Sequence, residues 1–276
     1  MGPLVSESAP CGERKQAVRC AIMRNHGPLM SSQRMSRPQA LLLDAGNTVV
    51  FLDHAVVAET LAELGHDVAL ASLASALRTA NQHYARALRG GAAHEDGWQH
   101  FMASWLAAAG VEAAAVASAV VRLRAVHDEF NLWRRVPPGL IEALGQLSET
   151  GVSLGIVSNS EGKLARLFAQ LGLDHAFDII IDSAVEGVRK PDPEIFHRAC
   201  RRLAIEPSDC LYAGDIPEVD VVGAQQAGLA GVLIDPFDVY PDYQDAPRYP
   251  SVAALVTDLL GTAAPRPGLH PSGDES

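Results

Sequence analysis

The chain has 276 residues, of which 48% are hydrophobic and only 5% aromatic, and its formal net charge at pH 7 is −11. That length holds one α/β domain with an insert, or two modest domains, and the apolar content is that of a globular protein. The acidic charge argues against nucleic acid and anionic membrane surfaces as partners, and no apolar stretch approaches the roughly 20 residues that span a bilayer.

Four cysteines lie at no spacing typical of a disulfide framework or a metal site. This indicates reduced thiols, as in intracellular proteins, and we therefore expect a cytoplasmic protein. Residues 1–37 carry six Lys or Arg against two acidic residues and show no periodic apolar pattern. We interpret them as a disordered leader, or as a start assigned too early, with Met35 the true first residue. The Pro-, Gly- and Ser-rich residues 261–276 are expected to be a disordered tail.

Five short apolar runs predict strands of a parallel sheet: Ala40–Asp44, Val152–Val157, Phe177–Ile181, Cys210–Ala213 and Gly231–Ile234. The runs are continuous rather than alternating, as in strands covered on both faces. Helices are predicted between the later strands, with proline near a start or glycine past an end, at Lys163–Leu171, Glu194–Leu203 and Glu218–Ala227. This alternation predicts a doubly wound, Rossmann-like parallel sheet in an α/β core of residues 38–54 and 136–260.

The stretch between the first two predicted strands is far longer than one crossover helix needs. Residues 55–135 are alanine-rich and helical in pattern, with breaks near Gly65, Gly90-Gly91 and Gly110. We therefore expect an all-helical cap inserted after the first strand, above the C-terminal edge of the sheet, where it would act as a lid. A helix over Pro138–Thr150 then returns the chain to the sheet. We assign three tryptophans to the interior of the cap: Trp98, Trp105 and Trp133.

Two aspartates stand where predicted strands end. Asp44 follows Leu41-Leu42-Leu43, and Asp215 follows Leu211-Tyr212-Ala213-Gly214. Ligands of open α/β sheets bind at that edge. Two carboxylates with no basic residue in either segment call for a divalent cation or a shared proton. Each alone would be interpreted as a helix N-cap, but together with Lys190, in the loop after the third strand, they indicate a catalytic site.

Four elements occur in order: Asp44-x-x-x-Thr48, Ser158-Asn159, Lys190-Pro191 and Gly214-Asp215-x-x-x-x-Asp220. With these, and with the stretch Val188–Phe196, the chain resembles the haloacid dehalogenase-like hydrolase superfamily over most of residues 38–240. The position of the insert resembles the helical cap of its phosphatase and dehalogenase branch. The resemblance implies that Asp44 is a nucleophile that forms an aspartyl-phosphate, that Ser158 binds the phosphoryl oxygens, and that Lys190 neutralises their charge.

The resemblance also implies a Mg²⁺ ion between Asp44, the backbone carbonyl of Gly46 and Asp215. Asp220 would lie outside these ligands and hold a bound water or Lys190. Two further residues are implied in phosphate or substrate binding, Thr48 and Asn159. The substrate would be a small phosphorylated metabolite; its identity and the oligomeric state stay open.

The chain departs from the family pattern at Gly46. Phosphatases of the family usually carry a second aspartate there, which protonates the leaving-group oxygen and later activates water. Four explanations are open. Another carboxylate, such as Asp53, substitutes for it. The substrate has a good leaving group, as an acyl phosphate does. The protein is a catalytically weakened binding or regulatory relative. Or it is a metal-independent 2-haloacid dehalogenase, against which Asp215 argues, because those enzymes usually lack an acid at that position.

Overall fold

The computed structural model describes residues 37–89 and 97–261, and those residues contain eight strands. Their bounds are β1 (Ala40–Leu43), β2 (Phe51–Leu52), β3 (Trp133–Arg135), β4 (Ser153–Ser158), β5 (Ile179–Asp182), β6 (Cys210–Gly214), β7 (Ala230–Ile234) and β8 (Arg248–Tyr249). Six of them form one parallel sheet in the order β5-β4-β1-β6-β7-β8, and β2 pairs with β3 in an antiparallel ribbon. The doubly wound sheet predicted from the sequence is confirmed.

The same two segments contain ten α-helices. They are α1 (His54–Glu63), α2 (Leu70–Arg89), α3 (Gly97–Ala108), α4 (Ala113–Glu129), α5 (Leu140–Ser148), α6 (Leu164–Gln170), α7 (Ser183–Glu186), α8 (Pro193–Leu203), α9 (Val222–Gln226) and α10 (Val252–Leu259). A 3₁₀ turn at Pro207–Asp209 precedes β6, and a π-helical turn at Pro217–Val221 leads directly into α9. No helix of the described residues is long and apolar enough to cross a bilayer.

The five predicted strands are all present, with ends shifted by one or two residues. The largest shift is at β5, which begins at Ile179 rather than Phe177. The backbone N–H of Leu154, in the neighbouring strand β4, donates to the Asp178 carboxylate instead of to a backbone carbonyl of β5. The helix predicted over Glu218–Ala227 is split into the π-helical turn and α9. Three short strands and two helices were not predicted: β2, β3, β8, α7 and α10.

Both faces of the sheet are buried, as the continuous apolar strands indicated. In β1, Leu41 and Leu43 point to the face covered by α5, α6 and α10, whereas Leu42 points to the face covered by α8 and α9. All three leucines have no exposed surface. Burial of large aliphatic side chains on both faces contributes about 1.5–3 kcal/mol for each one, and it fixes β1 in the middle of the sheet.

Helices α1 to α4, which we call the cap, pack around an apolar cluster of their own. Gly65 and Gly110 have φ angles of +84° and +98° and follow helix ends, as predicted; Gly90-Gly91 lies outside the described residues. Trp105 is fully buried in this cluster. Trp98 and Trp133 are half-buried: both pack against this cluster, as expected, and both also line the cavity described below. The boundaries 55 and 135 stay a prediction, as do the leader and tail, most of which lie outside the described residues.

The β2–β3 ribbon lies where the chain enters and leaves the cap. β2 follows the loop after β1, and β3 joins α4 to α5. Trp133, the first residue of β3, packs against both the cluster beneath the sheet and the cluster of the cap. Its indole therefore contacts both parts of the protein at their junction.

Candidate active site

Three neighbouring strands deliver three of the predicted site residues to one edge of the sheet. β1 lies between β4 and β6, with Leu43 in register with Ile156 and Ala213. Asp44 directly follows β1, Ser158 ends β4, and Asp215 directly follows β6. Because the strands are parallel, these three side chains lie at the same C-terminal edge.

A cavity of about 590 Å³ opens above this edge, beneath the cap. Seven of the eight site residues predicted from the sequence line it: Asp44, Gly46, Ser158, Asn159, Lys190, Asp215 and Asp220. The cap and the β2–β3 ribbon contribute aromatic side chains to the opposite wall: Tyr84, Trp98, Phe101, His127 and Trp133. The eighth residue, Thr48, does not line the cavity. It is 2% exposed, and its hydroxyl has no hydrogen-bond partner within the described residues, so its role in phosphate binding stays a prediction.

Lys190 is held at the centre of the site by three oxygens. Its Nζ lies 2.7 Å from Asp44 Oδ1, 2.6 Å from Asp220 Oδ1 and 2.7 Å from the Tyr212 hydroxyl. Burial alone would lower the pKa of this amine, but the carboxylates of Asp220 and Asp44 outweigh it and raise the pKa above its usual value. The lysine is therefore a fixed positive charge beside Asp44 at neutral pH.

Tyr212 is a residue of the site that the sequence interpretation missed. It stands in the buried strand β6, and its hydroxyl accepts from Lys190 and donates to the carbonyl of Val157 over 2.8 Å. Burial, and then the charge of Asp220, raises the pKa of the phenol well above its usual value. A tyrosine in a strand that is otherwise small or aliphatic was the available signal.

Asn159 has a role that the sequence did not predict. Its amide nitrogen donates to the backbone carbonyl of Lys190 over 3.0 Å, and its Oδ1 accepts from the backbone N–H of the same lysine over 2.8 Å. These two bonds fix the loop that carries Lys190, whose peptide bond to Pro191 is cis. Asn159 thereby positions the lysine, and its predicted contact with the phosphoryl group stays a prediction.

Asp220 is fully engaged by the protein. Its Oδ1 accepts from Lys190, and its Oδ2 accepts from the backbone N–H of Ile216 over 2.9 Å. A Cβ atom at Gly214 would collide with this carboxylate, which explains why glycine ends β6. Because both oxygens are in use, Asp220 is suited to hold Lys190 rather than to ligate an ion directly.

The site has the composition of a site for a hard divalent cation. Carboxylate oxygens of Asp44, Asp215 and Asp220 all lie within 4.8 Å of one another. Three carboxylates face the single charge of Lys190, an imbalance that a divalent cation removes. Burial, and then the charges of Asp44 and Asp220, raises the pKa of Asp215 well above its usual value. Oxygen ligands of this kind fit Mg²⁺.

Asn47 orients Asp215 from the side. Its amide nitrogen donates to Asp215 Oδ2 over 3.0 Å, and its Oδ1 accepts from Trp133 Nε1 over 3.3 Å. The backbone of Asn47 is left-handed, with φ of +54°, a conformation that asparagine tolerates better than most residues.

Asp53, one possible replacement for the missing second aspartate, is used elsewhere. Its Oδ1 accepts from the N–H of Ala55 at the start of α1, and its Oδ2 pairs with Arg134 over 3.2 Å. It does not line the cavity. Asp53 itself is therefore not placed to replace the missing acid.

A sequence profile of the haloacid dehalogenase-like hydrolase family matches residues 38–228, and the chain therefore belongs to this family of hydrolases. Glyceraldehyde 3-phosphate phosphatase from Methanopyrus kandleri is 38% identical over 120 residues, 43% of this chain and 50% of that protein. Phosphoserine phosphatase from Thermus thermophilus is 33% identical over 118 residues, 41% of this chain and 47% of that protein. The chain thus spans about half the length of these curated relatives.

Solved structures share the fold at low sequence identity. The putative hydrolase YfnB from Bacillus subtilis, crystallised with magnesium, superposes with a TM-score of 0.61 at 22% identity, covering 81% of this chain and 99% of that one. L-2-haloacid dehalogenase from Xanthobacter autotrophicus gives a TM-score of 0.52 at 20% identity, covering 83% and 100%. Both confirm the sheet with its helical cap.

Proposed function

We propose that this hydrolase is a Mg²⁺-dependent phosphatase that releases phosphate from a small phosphorylated metabolite through an aspartyl-phosphate on Asp44. The observation that carries the proposal is the buried group of Asp44, Asp215 and Asp220 around one lysine. Two relatives named as phosphatases support it.

Each residue of the site has its own role in the proposed reaction. One oxygen of Asp44 is bonded to Lys190, which leaves the other to attack phosphorus. The Ser158 hydroxyl, at the end of β4, would donate to a phosphoryl oxygen, while Lys190 balances the charge shared by Asp44 and the phosphoryl group. Asp44, the carbonyl of Gly46 and Asp215 would hold Mg²⁺, which, when bound, neutralises charge that develops on the phosphoryl oxygens.

The metal-independent dehalogenase is the weaker alternative. Attack on carbon without a metal gains nothing from two further carboxylates beside the nucleophile, because their charges repel it. A binding protein without turnover would keep the fold and the cation site. A cytoplasmic location and the absence of a nucleic-acid partner also stay predictions, and the oligomeric state is open.

Phosphate release from acetyl phosphate and p-nitrophenyl phosphate tests the proposal. We expect turnover by the full chain with MgCl₂, none with EDTA, and none by Asp44→Asn under either condition. Chloride release from 2-chloropropionate in EDTA would instead identify a dehalogenase. Mg²⁺ binding by calorimetry without turnover of any of these compounds would indicate a binding protein.

A further inference from the structure

We infer that the substrate of this site is a phosphate on a weakly basic, aromatic leaving group, such as an aryl or aroyl phosphate, which departs without a proton from the protein. The inference rests on the proposed phosphatase function and names its substrate class. Three features support it: the indole beside Gly46, the pairing of two cavity-wall carboxylates with an arginine, and the aromatic side chains opposite Asp44.

The indole of Trp133 lies directly beside position 46. A Cβ atom built on Gly46 would be 3.7 Å from Cδ1 and 3.8 Å from Nε1 of the indole. A methyl group fits at those distances, and the ring restricts the directions in which a longer acidic side chain could point. The ring is held there by its hydrogen bond to Asn47 and by contacts with Phe101 and His127, at 5.9 and 6.0 Å between ring centroids.

Two other carboxylates on the cavity wall are paired with a cation. Asp128 and Glu161 both bond to the guanidinium of Arg124, at 2.8 Å and at 2.6–2.8 Å. These hydrogen bonds lower the pKa of each carboxyl below its usual range. Both groups are therefore ionised at neutral pH and have no proton to give.

The neutral polar groups of the wall are poor acids. His127 Nδ1 accepts from the backbone N–H of Leu132 over 3.3 Å, so the ring is neutral, and burial lowers its pKa to about 4. Burial, and then the charge of Asp215, raises the pKa of Tyr84. Outside the proposed metal site, Glu129, exposed on the same wall, is the remaining carboxyl that lines the cavity, and it is tested below.

Without a donor, the identity of the leaving group decides the rate. As Asp44 forms its bond to phosphorus, the bond from phosphorus to the leaving oxygen breaks, and its electron pair stays on that oxygen. The anion then takes a proton from solvent. A phenolic oxygen with a pKa of about 10, or a carboxylic one with a pKa of about 4, can leave in this way. An alkoxide loses the roughly 10²- to 10⁴-fold help that an acid supplies.

The shape of the cavity favours a planar leaving group. Aromatic rings of Tyr84, Trp98, Phe101 and Trp133 line it, and the guanidinium of Arg124 lies over the Trp98 ring, 5.3 Å from its centroid. Aromatic pairs gain from offset or edge-to-face contact beyond the area that they bury. An aromatic ring therefore gains contacts here that a short alkyl chain does not.

A series of ring-substituted phenyl phosphates of similar shape, together with an alkyl phosphate, tests the inference. The quantity to measure is kcat/KM, because it reports the step in which the leaving group departs, whereas kcat also includes hydrolysis of the aspartyl-phosphate. We expect kcat/KM to fall by about 100-fold or more from p-nitrophenyl to phenyl phosphate, and further to the alkyl ester. Values within about tenfold of one another across the series would show a proton donor and overturn the inference.

Two further arms complete the experiment. Glu129→Gln should show the same dependence on the leaving group as the parent. A steeper dependence in this variant would identify Glu129 as the proton donor and contradict the inference.

Benzoyl phosphate should exceed acetyl phosphate in kcat/KM by about tenfold, and the reverse order would overturn the aromatic preference. No release from any of these compounds would overturn the proposed function, whereas turnover with a flat dependence overturns only this inference.

Discussion

Trp133 donates through Nε1 to Asn47, and Asn47 donates to Asp215, over 3.3 and 3.0 Å. A residue of the ribbon that joins cap and sheet thus orients a carboxylate of the proposed metal site through a single intermediate side chain. Groups that hold a metal ligand in place affect affinity although they never touch the ion.

Replacing Asn47→Gly removes this intermediate without straining the left-handed backbone. We expect the affinity for Mg²⁺ to fall by about 10- to 100-fold, because Asp215 loses the donor that orients it. Isothermal titration calorimetry with MgCl₂ measures this directly. Trp133→Phe, which removes only the indole donor, should weaken binding less than Asn47→Gly does. Unchanged affinity in Asn47→Gly would show that the contact does not position the ligand.

Introducing an acid by Gly46→Asp should not by itself give hydrolysis of alkyl phosphates, because the indole beside position 46 restricts the directions in which the new carboxylate can point. In a Trp133→Leu background we expect the same substitution to raise kcat/KM for an alkyl phosphate by about 10²-fold. Gly46→Ala, whose methyl group fits, and Trp133→Leu alone are the matched controls. A large gain in the single variant Gly46→Asp would mean that the indole is no obstacle.

His127 makes the protein less stable in mild acid. Burial, and then the charge of Arg124, lowers its pKa from 6.5 to about 4 in the folded protein, against the opposing charge of Glu161. The unfolded chain therefore takes up a proton at His127 before the folded protein does: the penalty is absent above pH 6.5 and grows to about 3 kcal/mol as the pH falls to about 4.

Urea unfolding of the parent and of His127→Gln, at several pH values from 4 to 7.5, isolates this contribution. The free energy of unfolding of the parent, minus that of His127→Gln, should fall steadily as the pH decreases below 6.5. A difference that does not vary with pH would show that the ring is not held neutral by burial.

Lys190→Met should destabilise the protein by about 3–5 kcal/mol in EDTA, because it leaves Asp44 and Asp220 buried without their cation. Lys163→Met is the matched control: that lysine is half exposed and pairs with Asp128 over 3.3 Å, so its loss should cost less than about 1 kcal/mol. Urea unfolding at pH 7 measures both variants. Equal costs would show that the buried lysine does not neutralise the two carboxylates.

The sheet and the strand-end aspartates could be predicted because their signals are local. A continuous apolar run predicts a buried strand, and the residue after it falls at the ligand-binding edge, so Asp44 and Asp215 were placed correctly. The short strands β2 and β3 could not be predicted, because two or three residues carry no periodic pattern. Tyr212 stood out only as the one aromatic residue of its strand, and nothing local in the sequence shows that its hydroxyl reaches Lys190.

The environment of Gly46 depends on a contact that no local pattern contains. Asn47 and Trp133 are 86 positions apart, and they meet only because the ribbon brings the two ends of the cap together. Likewise, the sequence offers Asp53 as a replacement for the missing acid, and only its hydrogen bond to Ala55 and its pairing with Arg134 show that it is used elsewhere.

The indole of Trp133, packed against the apolar clusters of both sheet and cap, has a consequence for heating. Because the two clusters share this large side chain, unfolding of either cluster also removes contacts from the other. A calorimetric scan of the chain should then show one endotherm in which cap and sheet melt together, and Trp133→Leu should broaden it or divide it in two.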